Sequence, residues 1–247
     1  IINMLVETNA VVISTIKYGD SSLIARCYCQ QIGLKSFLLK GILSSKKGSI
    51  KKSLFQPLSL LTLNINIKND TSESLLFIKE AKIYHPLQNI HLNIKKNTVA
   101  LFLTEVLMKV MEEEGDPNPP LFSFLEHAIL QLEEKSFSAL FHLKFLIDLT
   151  RYIGFYPNIL NFDHPCFDME NGCFCLQTDS KKIIIGKELE AFKTLLGTNF
   201  DKLIFLPITS VTKIKLLDLI VDYYHLHMQK FSKIKSLTIL HEVFRET

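Results

Sequence analysis

Leu58-Ser59-Leu60-Leu61-Thr62-Leu63-Asn64-Ile65-Asn66-Ile67 is the stretch that decides how the first third of the chain folds. Leu61, Leu63, Ile65 and Ile67 fall on one side of an extended backbone and Thr62, Asn64 and Asn66 on the other, the two-residue period of a half-buried strand. Working outward, the same reading recurs. Residues 6–17 are rich in β-branched side chains, and Tyr18-Gly19-Asp20-Ser21-Ser22 has turn chemistry. Leu23, Ala25, Cys27 and Cys29 then alternate with Ile24, Arg26, Tyr28 and Gln30. Gly33 breaks the pattern and residues 34–41 resume it. Residues 44–53 form a polar, basic loop around Gly48. After a turn at Lys68-Asn69-Asp70, residues 75–84 close the set. Five strands in ~80 residues, with a long loop between the third and the fourth, predict a small barrel.

From Asn89 the period becomes helical. Residues 92–114 read as one helix, apolar around much of its circumference, stopped by Gly115-Asp116-Pro117-Asn118-Pro119-Pro120. Residues 121–134 give a second helix. A third runs from a Ser136 cap to Ile153, with Gly154 supplying the left-handed residue beyond it. Residues 155–182 are irregular except for a hairpin at Asn171-Gly172, between 166–169 and 173–176. Helices over 187–196 and 210–231 and a short amphipathic tail after Ser232 complete the chain. The predicted fold class is α+β in two domains: a five-stranded barrel over 4–84, then an all-helical domain over 85–247 with a small hairpin insertion.

Charge divides at the same place. Residues 1–84 hold 11 Lys/Arg against five Asp/Glu, and residues 85–247 hold 17 against 20. The 49 residues from 21 to 69 carry eight basic side chains and no acid. A basic module joined to a mildly acidic one is the footprint of nucleic-acid binding. At 247 residues and 47% hydrophobic content the chain can bury a core. No apolar run reaches the ~18 residues that span a bilayer. Met4 reads as the natural start, and the first residues lack the basic and apolar regions of a signal peptide. Five cysteines without an export signal imply reduced thiols and a cytoplasmic protein.

Several chemistries compete for the polar residues. His164, Cys166, Cys173 and Cys175 lie close in sequence, and zinc takes such ligands. Their His-x-Cys and Cys-x-Cys spacing departs from that of zinc knuckles, and buried thiols are the competing reading. No metal or other cofactor is expected. No nucleophile elbow, Walker loop, Gly-x-Gly-x-x-Gly or His-Glu-x-x-His is present, so no catalysis of covalent chemistry is expected. His225 and His227 stand two apart on a helix and diverge. Glu112-Glu113-Glu114 reads as a solvated helix end. The basic loop carries more. Lys46, Lys47, Lys51 and Lys52 bracket Gly48, and Arg26 shares the outward face of its strand with Tyr28. A cation beside an exposed aromatic suits single-stranded nucleic acid: charge for phosphate, a ring for stacking. Lys35 and Lys40 extend the set. Phe37 reads as core, while Phe55 stays open between core and that face.

Tyr18-Gly19-Asp20-Ser21-Ser22, the alternating strand, Gly33, Lys40-Gly41 and Leu54-Phe55-Gln56-Pro57-Leu58 resemble, in order, the start of the bacterial recombination mediator family RecO. The likeness continues through Pro119-Pro120-Leu121-Phe122, Gly154-Phe155-Tyr156-Pro157 and Phe167-Asp168 before Gly172. It implies an oligonucleotide/oligosaccharide-binding (OB) barrel followed by a helical domain. It also implies annealing of single strands without ATP, and loading of recombinase by displacing single-strand-binding protein (SSB) with the partner RecR. Many members carry a four-cysteine zinc site after Gly-Phe-Tyr-Pro, where this chain has three cysteines at other spacing.

The expectation is therefore a non-catalytic mediator that binds single- and double-stranded DNA. Arg26, Lys35, Lys40, Lys46, Lys47, Lys51 and Lys52 would contact phosphate and Tyr28 would stack. The SSB tail would dock on the helical domain, where Lys213, Lys215, Lys230, Lys233 and Lys235 stand among Leu216, Leu217, Ile220 and Leu237. The alternative is a helical scaffold whose small barrel binds RNA or a protein partner.

Overall fold

The computed structural model describes residues 3–44, 50–68 and 75–245. The chain divides into two compact units, 1–129 and 130–247. In the first, β1 (Asn3–Tyr18) is long enough to serve two partners. Its first half pairs antiparallel with β4 (Leu60–Lys68) and its second half with β2 (Ser22–Cys29). A register irregularity between Val12 and Ser14 sits where the halves meet, and such a bulge bends a strand. β3 (Gly33–Leu39) and β5 (Ile78–His85) complete the order β3-β2-β1-β4-β5. At the open edges the Leu76 N–H donates to the Ser36 carbonyl and the Leu38 N–H to the Leu76 carbonyl, both at 2.9 Å. The sheet is OB-like, joined at this seam rather than by a full ladder.

The inward face is the one that alternation marks: Ala10, Val12, Ala25, Cys27, Leu61, Leu63 and Ile65 form one core with Phe37 and Phe55. The strand expected from Leu58 begins at Leu60. Leu58 stands at φ 63 and the Ser59 N–H bonds back to Gln56, so the residues after Pro57 turn before they extend.

The expected helix over 92–114 begins at Ile94 and ends at Val110, with turns over 111–114, and a separate short helix precedes it. α1 (Asn89–Leu92) ends at Asn93, whose side chain accepts from the Lys95 and Lys96 N–H groups and so caps α2 (Ile94–Val110). α2 lies against β1. The loop after it meets the β2–β3 turn, where the Leu34 N–H donates to the Gly115 carbonyl at 2.8 Å. Gly33, at φ +70, faces the same loop, and a Cβ there would collide with the Gly115 carbonyl. This close approach requires glycine. α3 (Pro119–Glu133) follows.

The second unit is built from α4 (Phe141–Leu149), α5 (Gly186–Leu196), α6 (Ser210–His227) and α7 (Ser236–Arg245), with a small sheet. α4 is half the length expected from a Ser136 cap. The 138–140 turn precedes it, the Leu140 N–H bonding to the Ser138 hydroxyl. At the far end the Thr150 hydroxyl takes the Ile147 carbonyl, and tighter turns replace the helix up to Gly154 at φ +89. α6 stops at His227, four residues short of expectation, because Met228 is extended. The Asn171-Gly172 hairpin forms between β6 (Cys166–Asp168) and β7 (Cys173–Cys175). A third strand, β8 (Ile183–Ile185), pairs with the other edge of β6. Phe167, fully buried, packs against Phe174, Phe192 and Tyr223.

Candidate nucleic-acid interface

One end of the barrel gathers cations and exposed rings. Lys40 directly follows β3, and its ammonium lies 5.2 Å from the centre of the Phe77 ring. Phe77 follows the seam residue Leu76 and is 50% exposed. Between them opens a pocket of about 220 Å³, lined also by Leu38, Gly41, Ile42, Ile50 and Ile78. Ile50 carries the chain into exposed Lys51 and Lys52, and the 3₁₀ turn that begins at Lys52 packs beside β5. Lys17 and Tyr18, also exposed, end β1 at this side, because Lys17 pairs with Leu23 and Leu23 with Leu39. Asp20 in the adjoining turn partly offsets the charge. Further along β5, Glu80 is bound by Lys82 at 3.0 Å and by Asn64. The hydrogen bond and charge of Lys82 hold its carboxyl below the usual range.

Of the expected phosphate ligands, Lys40, Lys51 and Lys52 share this rim. Lys46 and Lys47 lie outside the described residues. Arg26 and Lys35 are elsewhere. Arg26 is on the outward face of β2, as expected, but that face is covered within the unit, and its guanidinium donates to the Met108 sulfur of α2 at 3.5 Å. Lys35 pairs with Cys27 on the inward-facing register, at the opposite end of β3 from Lys40. Burial pushes the Cys29 thiol up to about 12, and the nearby Lys35 charge pulls the other way.

Tyr28 overturns its expected role. It is fully buried, its ring stacks on Phe122 of α3, and its hydroxyl donates to the Asp116 carbonyl while accepting from the Asn118 N–H. Strand alternation gives the face correctly, but α2, α3 and the loop between them cover that face. No base can reach the ring. The exposed aromatics at the rim are Phe77 and Tyr18, and of the two Phe77 lies under the Lys40 ammonium. The sequence neighbourhood of Phe77, with Asp70, Glu73 and Glu80 nearby, carries no signal for this role, because Lys40 reaches it only through the fold.

In the second unit, Leu216, Leu217 and Ile220 are core, each at most 2% exposed, and do not line a peptide groove. Lys215 is exposed and faces Glu188 at 3.9 Å, and Lys213 is half-buried. Lys230, Lys233 and Lys235 are exposed in the segment between α6 and α7, while Phe231 and Ile234 from the same segment are buried. Among the thiols, Cys166 and Cys175 face each other across the hairpin with sulfurs 3.2 Å apart. Burial and the Cys166 thiol push Cys175 up to about 11. The His164 carbonyl accepts from Lys193 at 3.0 Å, and its Nδ1 is buried without a partner. Among the described residues no three His, Cys, Asp or Glu side chains are grouped to hold a metal, and no helix is long and apolar enough to cross a membrane.

The family model for the N-terminal part of recombination protein O matches residues 4–87, and that for its C-terminal part matches residues 91–238. The chain is similar to proteins named DNA repair protein RecO from several bacteria. That of Christiangramia forsetii is 37% identical over 241 residues, that of Flavobacterium johnsoniae 39% over 243, and that of Bacteroides fragilis 36% over 245. Each alignment covers 98% of this chain and 100% of the relative.

Proposed function

The chain belongs to the RecO family of DNA repair proteins, and from that premise we propose that it is a recombination mediator. In this reading it binds single- and double-stranded DNA, anneals complementary strands without ATP, and with RecR helps load recombinase on SSB-coated strands. The barrel over 4–84 holds DNA and the helical part over 85–247 holds protein. The observation that carries the reading is the cationic rim: exposed Lys40, Lys51 and Lys52, drawn from 49 residues of sequence with no acid. Two single strands repel through their phosphates. A surface that neutralises both lowers that repulsion and releases their counterions, so complementary bases meet more often. No covalent step and no nucleotide is needed.

An acidic tail such as that of SSB would be met by Lys230, Lys233 and Lys235, where residues 228–235 contain no acid. Placing the tail there keeps the rim available for DNA. The test is annealing of complementary strands with no nucleotide, bare and SSB-coated. The chain should accelerate both. A Lys40/Lys51/Lys52→Ala variant should lose both, and a Lys230/Lys233/Lys235→Ala variant only the coated reaction. Failure of the unaltered chain to anneal bare strands would refute the mediator reading.

A further inference from the structure

We propose that Phe77 is a stacking platform for one unpaired nucleobase, with Lys40 on the adjoining phosphate, and that this contact makes the rim favour single strands over duplex. The inference rests on the DNA-binding reading above and names the residue that confers its strand preference.

Four observations converge on Phe77. Its ring is half exposed, whereas Phe37 and Phe55 of the same barrel are buried. A lysine ammonium lies over the ring, so charge for a phosphate and a flat apolar face stand within one nucleotide's reach. The ring edges a pocket that Ile42, Ile50 and Ile78 also line, with Lys40 at its wall. Finally, both backbone groups of Leu76 are bonded to β3, which fixes the chain immediately before Phe77. The platform is therefore organised before any ligand arrives, and little ordering cost falls on binding.

Stacking selects by strand state. In a duplex both faces of each base are covered by neighbours, so a protein ring reaches a base only where pairing is broken. An unpaired base offers its face whatever its identity, so the contact is tolerant of sequence. Phosphate contacts, by contrast, are made to either form. Removing the ring should therefore weaken single-strand binding and leave duplex binding and the salt dependence of both unchanged.

The chain contains no tryptophan, so Phe77→Trp introduces one tryptophan at the site, which can be excited selectively over the tyrosines. Its emission should be quenched on titration with oligothymidylate and unchanged with inorganic polyphosphate, which supplies charge without bases. Fluorescence anisotropy of labelled strands gives affinity independently. Phe77→Ala should lose about tenfold for single strands, and Phe77→Leu nearly as much, since it keeps apolar bulk but no aromatic face. Melting curves verify that each variant is folded. Single-strand binding by Phe77→Trp without quenching, or full affinity in Phe77→Leu, overturns the platform and leaves the DNA reading standing. Absence of single-strand binding by the unaltered chain overturns both.

Discussion

Tyr28 shows what a single hydroxyl does when a sheet face is covered. The oxygen donates to the Asp116 carbonyl at 3.0 Å and accepts from the Asn118 N–H at 3.1 Å, so it ties β2 to the loop that enters α3. Tyr28→Phe keeps the ring on Phe122 and removes both bonds. Urea unfolding should show a loss of roughly 1–3 kcal/mol, with single-strand affinity unchanged. A variant of full stability and reduced DNA binding would restore Tyr28 as a ligand. Burial, ahead of the opposing Asn118 hydrogen bond and the nearby Asp116 and Glu114 charges, raises the phenol above its ordinary value of 10. The folded state thus favours the protonated phenol. The stability this adds is complete below pH 10 and declines as the pH rises past it.

At the scale of elements, legibility follows the range of the interaction that fixes each one. The inward faces of β2 and β4 were readable because Cys27, Leu61, Leu63 and Ile65 alternate with polar neighbours, and alternation is local. The cover over Arg26 and Tyr28 comes from residues more than 80 positions away, and nothing in β2 announces it. α4 is shorter than its periodicity implies because side-chain bonds mark both ends, the Leu140 N–H to the Ser138 hydroxyl and the Thr150 hydroxyl to the Ile147 carbonyl, and periodicity ignores both. β8 is three consecutive isoleucines, too short to show a period. The hairpin was legible from Asn171-Gly172, and Asp168 secures it by accepting from Asn171 and Thr178. Burial pushes the Asp168 carboxyl up, but these hydrogen bonds outweigh it and hold the group below the usual range. Of the hairpin's three cysteines, Cys166 and Cys175 face one another while Cys173 stands opposite Asp168, and among the described residues they belong to no four-ligand shell of the kind a structural zinc requires. Protein purified without chelator should therefore contain no stoichiometric zinc, and EDTA should leave its melting temperature unchanged. Stoichiometric zinc by elemental analysis, released with a fall in Tm, would contradict this.

For the whole molecule the decisive quantity is how affinity responds to salt, because it counts phosphates neutralised without needing to know where each lies. The net charge of +3 is too small to steer DNA by itself. Its distribution is what matters, with an excess of six cations before residue 85 and of three anions after it. Were binding diffuse, the acidic majority of the chain would oppose it and the salt slope would be shallow. A local rim built around Lys40, Lys51 and Lys52, with Lys46 and Lys47 adjoining in sequence, predicts four to six phosphates engaged at once. That number implies a slope of about −3 to −4 in log affinity against log salt for single strands. Lys40/Lys51/Lys52→Ala should shallow the slope by about two units and weaken binding to every sequence alike, since phosphate contacts carry no base information. Its melting temperature should barely move, because exposed charges contribute little to folding. A slope near zero in the unaltered chain would remove phosphate binding from the barrel and favour the scaffold alternative. An unchanged slope in the variant would move the contacts away from this rim.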